Sequence, residues 1–471
     1  MLAGDFFASW RGQTENMENN RNNTFLTGPI LGPLVRFALP LMLSLLLQAF
    51  YGGADLAVVG WFSPTASVSA VATGSQVMQI ITVVVTGLTM GVTVRLGKAI
   101  GAGDPEDAGR TVCGQIRLFA GMALGLTVVM LLAAPAAARL MNVPAEAFDE
   151  TVRYVRICSS GIVFITAYNG ISGVFRGVGN SRSPFLFVFI ACLVNVGLDI
   201  LFVGGFGMAA SGAALATILA QAVSVAFSLG YLRRHPLPFP VRAMWGQGSR
   251  AIRGILRIGA PIAFQDCLTN LSFLIITSIV NGLGVVASAG VGVAEKLFVF
   301  LSIVPMAFMS ALSTFVAQNM GAGNKHRADR SLLLAQGISL CCGLVMFLAT
   351  FFAGGALASL FSQDPAVVAS CAEYLRACSP EYLLISLTFC FLGYFNGREH
   401  TTFVMAQGLL SSFLVRIPLS YALSRLPGAG VFQIGLAVPV SALLSLALCL
   451  GYFFLLRRRD RHGPEGWYKK G

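Results

Sequence analysis

Residues 34–60 read LVRFALPLMLSLLLQAFYGGADLAVVG, an apolar run with one arginine near its start and one aspartate near its end. A hydrocarbon core about 30 Å thick needs roughly 20 helical residues to cross it, whereas a barrel strand needs about half as many. An open sheet edge leaves its backbone groups unpaired in lipid, so a run of this length is read as a spanning helix. The same reading repeats along the chain, at about 69–96, 110–135, 152–178, 184–205 and 208–232. It continues at about 252–281, 285–318, 329–354, 367–395, 402–425 and 432–456, which makes twelve spans with the first. The predicted fold is an all-α polytopic membrane protein. Composition agrees, because 471 residues with 56% hydrophobic, 11% charged and a mean hydropathy of +0.76 hold too little charge to cover a soluble surface.

The loops between these runs fix an expected orientation. One set is basic, with Arg95, Lys98 and Arg110, then Arg176 and Arg182, then Arg233, Arg234, Arg242, Arg250, Arg253 and Arg257. Lys325, Arg327, Arg330, Arg398 and the tail from Arg457 to Lys470 belong to it as well. The alternate set is nearly bare, with Arg139 outnumbered by Glu146, Asp149 and Glu150, then Asp364, then Arg425. Lysine and arginine collect on the cytoplasmic side of membrane proteins. Both termini are therefore expected in the cytoplasm of a cell-membrane protein, and the net charge of +12 is topology rather than a nucleic-acid surface.

Two halves share one register. Arg36-x-x-x-Pro40 recurs as Arg257-x-x-x-Pro261, an offset of 257 − 36 = 221. Gly101-Ala102-Gly103 recurs at Gly321-Ala322-Gly323, and Tyr154-x-Arg156-x-Cys158-Ser159 at Tyr374-x-Arg376-x-Cys378-Ser379, each offset by 220. Gly173-x-Phe175-x-Gly177 recurs at Gly393-x-Phe395-x-Gly397, again offset by 220. Shared composition alone would not hold one register across four motifs. Six spans per repeat is an even number, so both repeats enter from one side. Two six-helix bundles related by a pseudo-two-fold axis along the membrane normal are expected. The expected organisation is a tail over 1–33, an N-lobe over 34–232, a linker over 233–251, a C-lobe over 252–456 and a basic tail over 457–471.

Several chemistries are excluded at this level. The ten cysteines lie mostly in apolar runs and form no C-x-x-C pair, so they read as small helix residues. The four histidines, at 235, 326, 400 and 462, fall in basic loops or the tail, which argues against an intramembrane metal centre and against an enzyme built on one. The Gly-Ala-Gly turns have no Lys-Ser/Thr after them and no strand before them, so no phosphate loop is expected. Residues 1–30 contain no apolar core of a cleavable signal, the stretch 15–24 reads as disordered, and Met17 offers a second start. Asn22-Asn23-Thr24 fits a glycosylation sequon but reads as an unmodified tail.

Ionisable groups inside lipid are costly, so each is a functional candidate. In the first half the spans hold two acids clear of their ends, Asp55 and Asp199, both in the outer half of their helices. Tyr51 precedes Asp55 by four residues and Asn195 precedes Asp199 by four, which puts each polar partner on its acid's face. Asn169 and Thr217 add oxygen ligands or hydrogen-bond partners. A hard cation such as sodium would take oxygens from Asp55, Asn169, Asn195 and Asp199, whereas a proton needs only a carboxylate. The competing reading is that these groups only join helices. In the second half the polar candidates are Asp266, Glu295, Lys296, Glu381 and Arg416, read as substrate contacts or ion pairs. Pro40 and Pro261 are the expected bending points, because proline leaves a helix carbonyl unpaired.

These residues resemble the multidrug and toxic compound extrusion family over nearly all of 34–456. The resemblance rests on Pro40 with Asp55-x-x-x-x-Gly60, on Gly101-Ala102-Gly103-Asp104, and on Asn169 with Phe175-Arg176-Gly177-Val178-Gly179-Asn180-Ser181 and Pro184. Asn195-x-x-x-Asp199, Gly212-Ala213-Ala214-Leu215-Ala216-Thr217 and Gln318-Asn319-x-Gly321-Ala322-Gly323 complete it. It implies a V-shaped twelve-helix antiporter, without cofactor, that exports amphipathic and often cationic compounds in exchange for protons or sodium ions. In such proteins the positions matching Tyr51, Asp55, Asn169, Asn195, Asp199 and Thr217 line the first-lobe cation or proton site. One branch carries sodium-binding acids in its seventh and tenth helices, where this chain aligns Thr269 and Ile385, a departure from that pattern. Expected partners are a small amphipathic substrate and membrane lipid, with the chain a monomer. The alternative function is a flippase for a lipid-linked sugar, which would want a basic cleft for pyrophosphate. The acidic, amide-rich first half favours cations instead.

Overall fold

A computed structural model describes residues 25–462. The expectations for the tail stretch 15–24, the start at Met17, the sequon at Asn22 and the last basic residues beyond 462 lie outside the described residues. Among the described residues the secondary structure is entirely helical.

The first half runs α1 (Leu31–Phe62), α2 (Thr65–Gly101), α3 (Pro105–Leu140), α4 (Ala145–Ser160), α5 (Ile162–Gly177), α6 (Arg182–Asp199) and α7 (Ala209–Arg234). The second half runs α8 (Gly248–Asn281), α9 (Val285–Gly321), α10 (Lys325–Ser359), α11 (Pro365–Cys378) and α12 (Pro380–Gly397). It closes with α13 (Thr401–Leu409), α14 (Ile417–Ser424), α15 (Val431–Gly435) and α16 (Ala437–His462). Helix starts follow the chemistry of their caps. The Asp104 carboxylate accepts from the backbone N–H groups of Glu106 and Asp107 with Pro105 in the first turn, and Asp364 does the same for Ala366 ahead of α11. The α2 and α9 ends are closed by Gly103 and Gly323, at φ +66° and +76°, a left-handed turn that glycine takes without strain.

Among the described residues ten stretches are each long and apolar enough to cross a membrane, and two bent pairs, each taken as one span, bring the total to twelve. The bent pairs correct the expectation of continuous spans at 152–178 and 367–395. α4 and α5 meet at 48°, and α11 and α12 at 51°. At the second break Pro380 has no N–H to continue the ladder, and at the first the Gly161 N–H turns to the Cys158 carbonyl three residues back. The spans at 184–205 and 402–425 each contain a wider π-helical segment, Ile200–Gly205 after α6 and Leu410–Arg416 between α13 and α14. Pro40 lies inside α1, where the Ser44 hydroxyl donates to its carbonyl at 2.8 Å, and Pro261 lies inside α8.

The chain forms two compact units that do not follow its halves. The first takes the described chain as far as Cys267 together with Met306–Ala335 and Gly393–Thr402. The second takes Leu268–Pro305, Gln336–Leu392 and the described chain from Phe403. In the first unit Val59, Val85, Tyr154 and Ile162 belong to one buried cluster. α2 and α8 cross closely there, because a Cβ added at Gly91 would lie 2.7 Å from the Gly259 nitrogen. Small residues permit such crossings between helices in lipid. The second unit has its own cluster around Ile276, Leu375 and Ile434.

Candidate cation and substrate site

α1, α6 and α7 bring the first-unit acids together. Asp55 sits seven residues before the end of α1 at Phe62, and Asp199 is the last α-helical residue of α6, where the wider π segment begins. The two side chains are 6% and 0% exposed, and they face each other. Thr217 of α7 reaches Asp55 Oδ2 at 3.2 Å, and its hydroxyl also lies 3.0 Å from the Ala213 carbonyl. One hydroxyl carries one proton, so it serves only one of these acceptors at a time. Both Asp199 oxygens and Asp55 Oδ1 are buried with no hydrogen-bond partner.

That arrangement has a chemical meaning. Two carboxylates are acceptors only and cannot bond to one another. A buried charge left without a partner is expensive, so the pair calls for something positive between its oxygens. A proton on either acid creates the missing donor. A hard monovalent cation would collect the same oxygens. Asn195, fully buried beside Asp55, has both its amide nitrogen and its amide oxygen unpartnered and adds an oxygen to the set.

A cavity of about 110 Å³ lies against this group, lined among others by Tyr51, Asn169, Asn195, Thr217 and Gln221. The acids themselves are behind its wall, reached through Asn195 and Thr217. Asn169 donates to the Ile165 carbonyl of its own helix at 2.9 Å, and the Tyr51 hydroxyl lies beside Gln221. Gln48, Tyr168 and Gln221 also line this cavity and were not among the sequence candidates. The signal was present: Gln48 stands seven residues before Asp55 and Gln221 four after Thr217, on the same helix faces.

The second-half candidates divide. Glu295, Glu381 and Arg416 come together in the second unit, around a cavity of about 20 Å³ that also meets Phe273, Phe298 and Tyr382. Arg416, which ends the second π segment, lies 3.7 Å from Glu381 Oε1 and 4.8 Å from the centre of the Phe273 ring. Glu295 accepts from the Thr277 hydroxyl at 3.0 Å. Lys296 is exposed and does not line this cavity, and Asp266 falls in the first unit.

A twice-repeated helical membrane fold, with two buried acids behind a cavity and three of their four oxygens lacking a donor, defines a membrane transport protein. The sequence model of the MatE family matches residues 40–201 and again 261–422, an offset of 261 − 40 = 221 that repeats the internal register. The chain belongs to the MatE family. It is 27% identical over 430 residues to "Probable multidrug resistance protein YpnP" of Bacillus subtilis, covering 91% of this chain and 96% of that protein. It is 26% identical over 454 residues to "FAD transporter" of Shewanella oneidensis, covering 92% of this chain and 96% of the relative. A solved structure described as the outward-facing conformation of a multidrug resistance MATE family transporter matches with a TM-score of 0.87 at 20% identity, over 94% of this chain and 98% of that one.

Proposed function

We propose that the protein is a secondary antiporter that exports amphipathic, cationic drugs or metabolites by alternating access, driven by protons or sodium ions. The observation that carries this reading is the Asp55–Asp199 pair, buried with three oxygens lacking any donor beside a polar-lined cavity. A coupling cation would occupy the pair, and the substrate's positive charge would compete for the same negative field. Tyr51, Asn169, Thr217 and Gln221 would shape the substrate side. The pattern of basic loops supports cytoplasmic termini, with 34–232 and 252–456 as N-lobe and C-lobe around the 233–251 linker, and the chain acting as a monomer. Two carboxylates against one guanidinium in the second unit's cavity weigh against an anionic cargo such as the flavin nucleotide for which the Shewanella relative is named. The deciding experiment is efflux of a dye panel from inverted vesicles, with a pH gradient and a sodium gradient imposed separately. Export of cationic dyes under one gradient is expected. Export under neither would overturn the reading.

A further inference from the structure

Residues 25–29 lie across the end of the first unit where the two Gly-Ala-Gly turns meet. A Cβ added at Gly101 would fall 1.9 Å from the Gln318 carbonyl oxygen, and one at Gly321 would fall 2.0 Å from the Lys98 carbonyl oxygen. No other residue type permits that approach. Around it, the Gln318 side-chain amide donates to the Gly177 carbonyl at 2.9 Å, and Lys98 pairs with Glu399 at 2.9 Å. Every one of these contacts joins a segment of the first repeat to a segment of the second.

Glu399 carries a cost that marks its role. It adopts φ +66°, a left-handed backbone that a residue with a Cβ takes only at some strain. The repeat register places it against Gly179 (399 − 220 = 179), which sits at φ +90° without that cost. The second half has a glutamate where the first has glycine, and the glutamate supplies the partner of Lys98.

The chain before α1 completes the arrangement. Phe25 is 6% exposed, its ring held between Phe37 of α1 and Phe315 of α9, with centroids at 5.4 and 5.1 Å. Its carbonyl accepts from the Asn319 amide at 3.2 Å and from Arg327 Nε at 2.8 Å. The Arg327 guanidinium continues along the segment, donating to the carbonyls of Gly28 at 2.7 Å and Thr27 at 2.9 Å. A planar fork of donors is suited to several carbonyls on one turn of chain, where a lysine ammonium is not. The seat for Phe25 exists only while Phe37 and Phe315 are side by side, so it is assembled from both repeats.

We propose that residues 25–29 form a strap that latches this end of the molecule shut, with Arg327 as its clasp and Lys98–Glu399 as a second tie. The inference rests on the alternating-access reading, in which this end must open in the opposite state. Opening it separates Gln318 from Gly177 and Lys98 from Glu399, exposes the Phe25 ring and leaves the guanidinium without its carbonyls. The strap thus stabilises one of the two states and sets how often this end opens.

The test is amide hydrogen exchange on the full-length protein in lipid nanodiscs, comparing wild type with Arg327→Ala, Arg327→Lys, Phe25→Ala and Glu399→Gly. Loss of a contact worth a large part of the closed state's advantage should raise opening on the order of 5–30-fold. Exchange at residues 98–104 and 318–324 should rise by that factor in Arg327→Ala and Phe25→Ala, and less in Arg327→Lys. Exchange in the middle of α1 near Ser44 should stay at the wild-type rate and serves as the folding control. If Arg327→Ala fails to fold, Phe25→Ala and Glu399→Gly carry the same comparison. Unchanged exchange at both turns in the folded variants overturns the strap. The measurement needs neither substrate nor gradient, so a protein that exports no dye yet shows the rise keeps the strap and loses the antiport reading. A protein that exports dye without the rise loses the strap alone.

Discussion

Asp199→Asn should make the empty protein more stable while it stops gradient-driven export. The native side chain is fully buried, both its oxygens lack donors, and it faces the carboxyl of Asp55. An asparagine there has nearly the same size, carries no charge and offers Asp55 two N–H donors. A hydrogen bond to a charged group contributes about 1.5–3 kcal/mol, which is about ten-fold to just over a hundred-fold in the folded-to-unfolded ratio. Unfolding of purified protein in mixed micelles by added SDS, at neutral pH without sodium, measures this directly. The variant should need more SDS than wild type, and the difference should shrink when acid or sodium supplies the wild-type pair with a positive partner. Transport in proteoliposomes should be lost, because the pair no longer gains and releases a cation. Equal or lower resistance to SDS, together with wild-type export across the neutral pH range, would refute the argument and leave Asp199 as helix packing.

Asp55→Asn should lose gradient-driven export in the same assay, and Asp55→Glu should keep part of it with a displaced pH profile; wild-type rates in the amide variant would remove Asp55 from the coupling site. Gln221→Ala and Tyr51→Phe should reorder the preference among dyes while leaving ion-driven exchange intact, so a uniform loss across the panel would move them out of the cavity's substrate side. Glu381→Gln should destabilise by about 3 kcal/mol, since it strands a buried guanidinium, and adding Arg416→Met should recover most of that in the same SDS titration. No recovery in the double variant would show that Arg416 is compensated elsewhere. Single cysteines at Ala145 and Gly246, in a background without native cysteine, should label from opposite faces of sealed vesicles; labelling of both from one face would overturn the orientation.

The parts of this molecule that were legible in the sequence are those set by solvent and by repetition. Lipid demands about 20 apolar helical residues per crossing, so span positions follow from composition. The repeat register follows from matched motifs, and the family match at 40–201 and 261–422 has the same offset. What escaped was geometry that leaves hydropathy unchanged. The bend at Gly161 follows Ser159-Ser160, small residues that a membrane helix also accommodates without breaking, so the run reads as continuous there, whereas Pro380 marks its counterpart. The π segments at Ile200–Gly205 and Leu410–Arg416 carry no distinguishing residue pattern, yet each adjoins a charged candidate, Asp199 in one case and Arg416 in the other. A π segment leaves its backbone hydrogen bonds longer by one residue and is often found at functional positions. The two halves therefore share a backbone device and differ in the charge placed beside it. With two buried acids, three of whose four oxygens lack a donor, in one unit and a guanidinium paired with Glu381 at 3.7 Å in the other, the repeat has been kept as architecture while the charges placed beside its π segments have diverged.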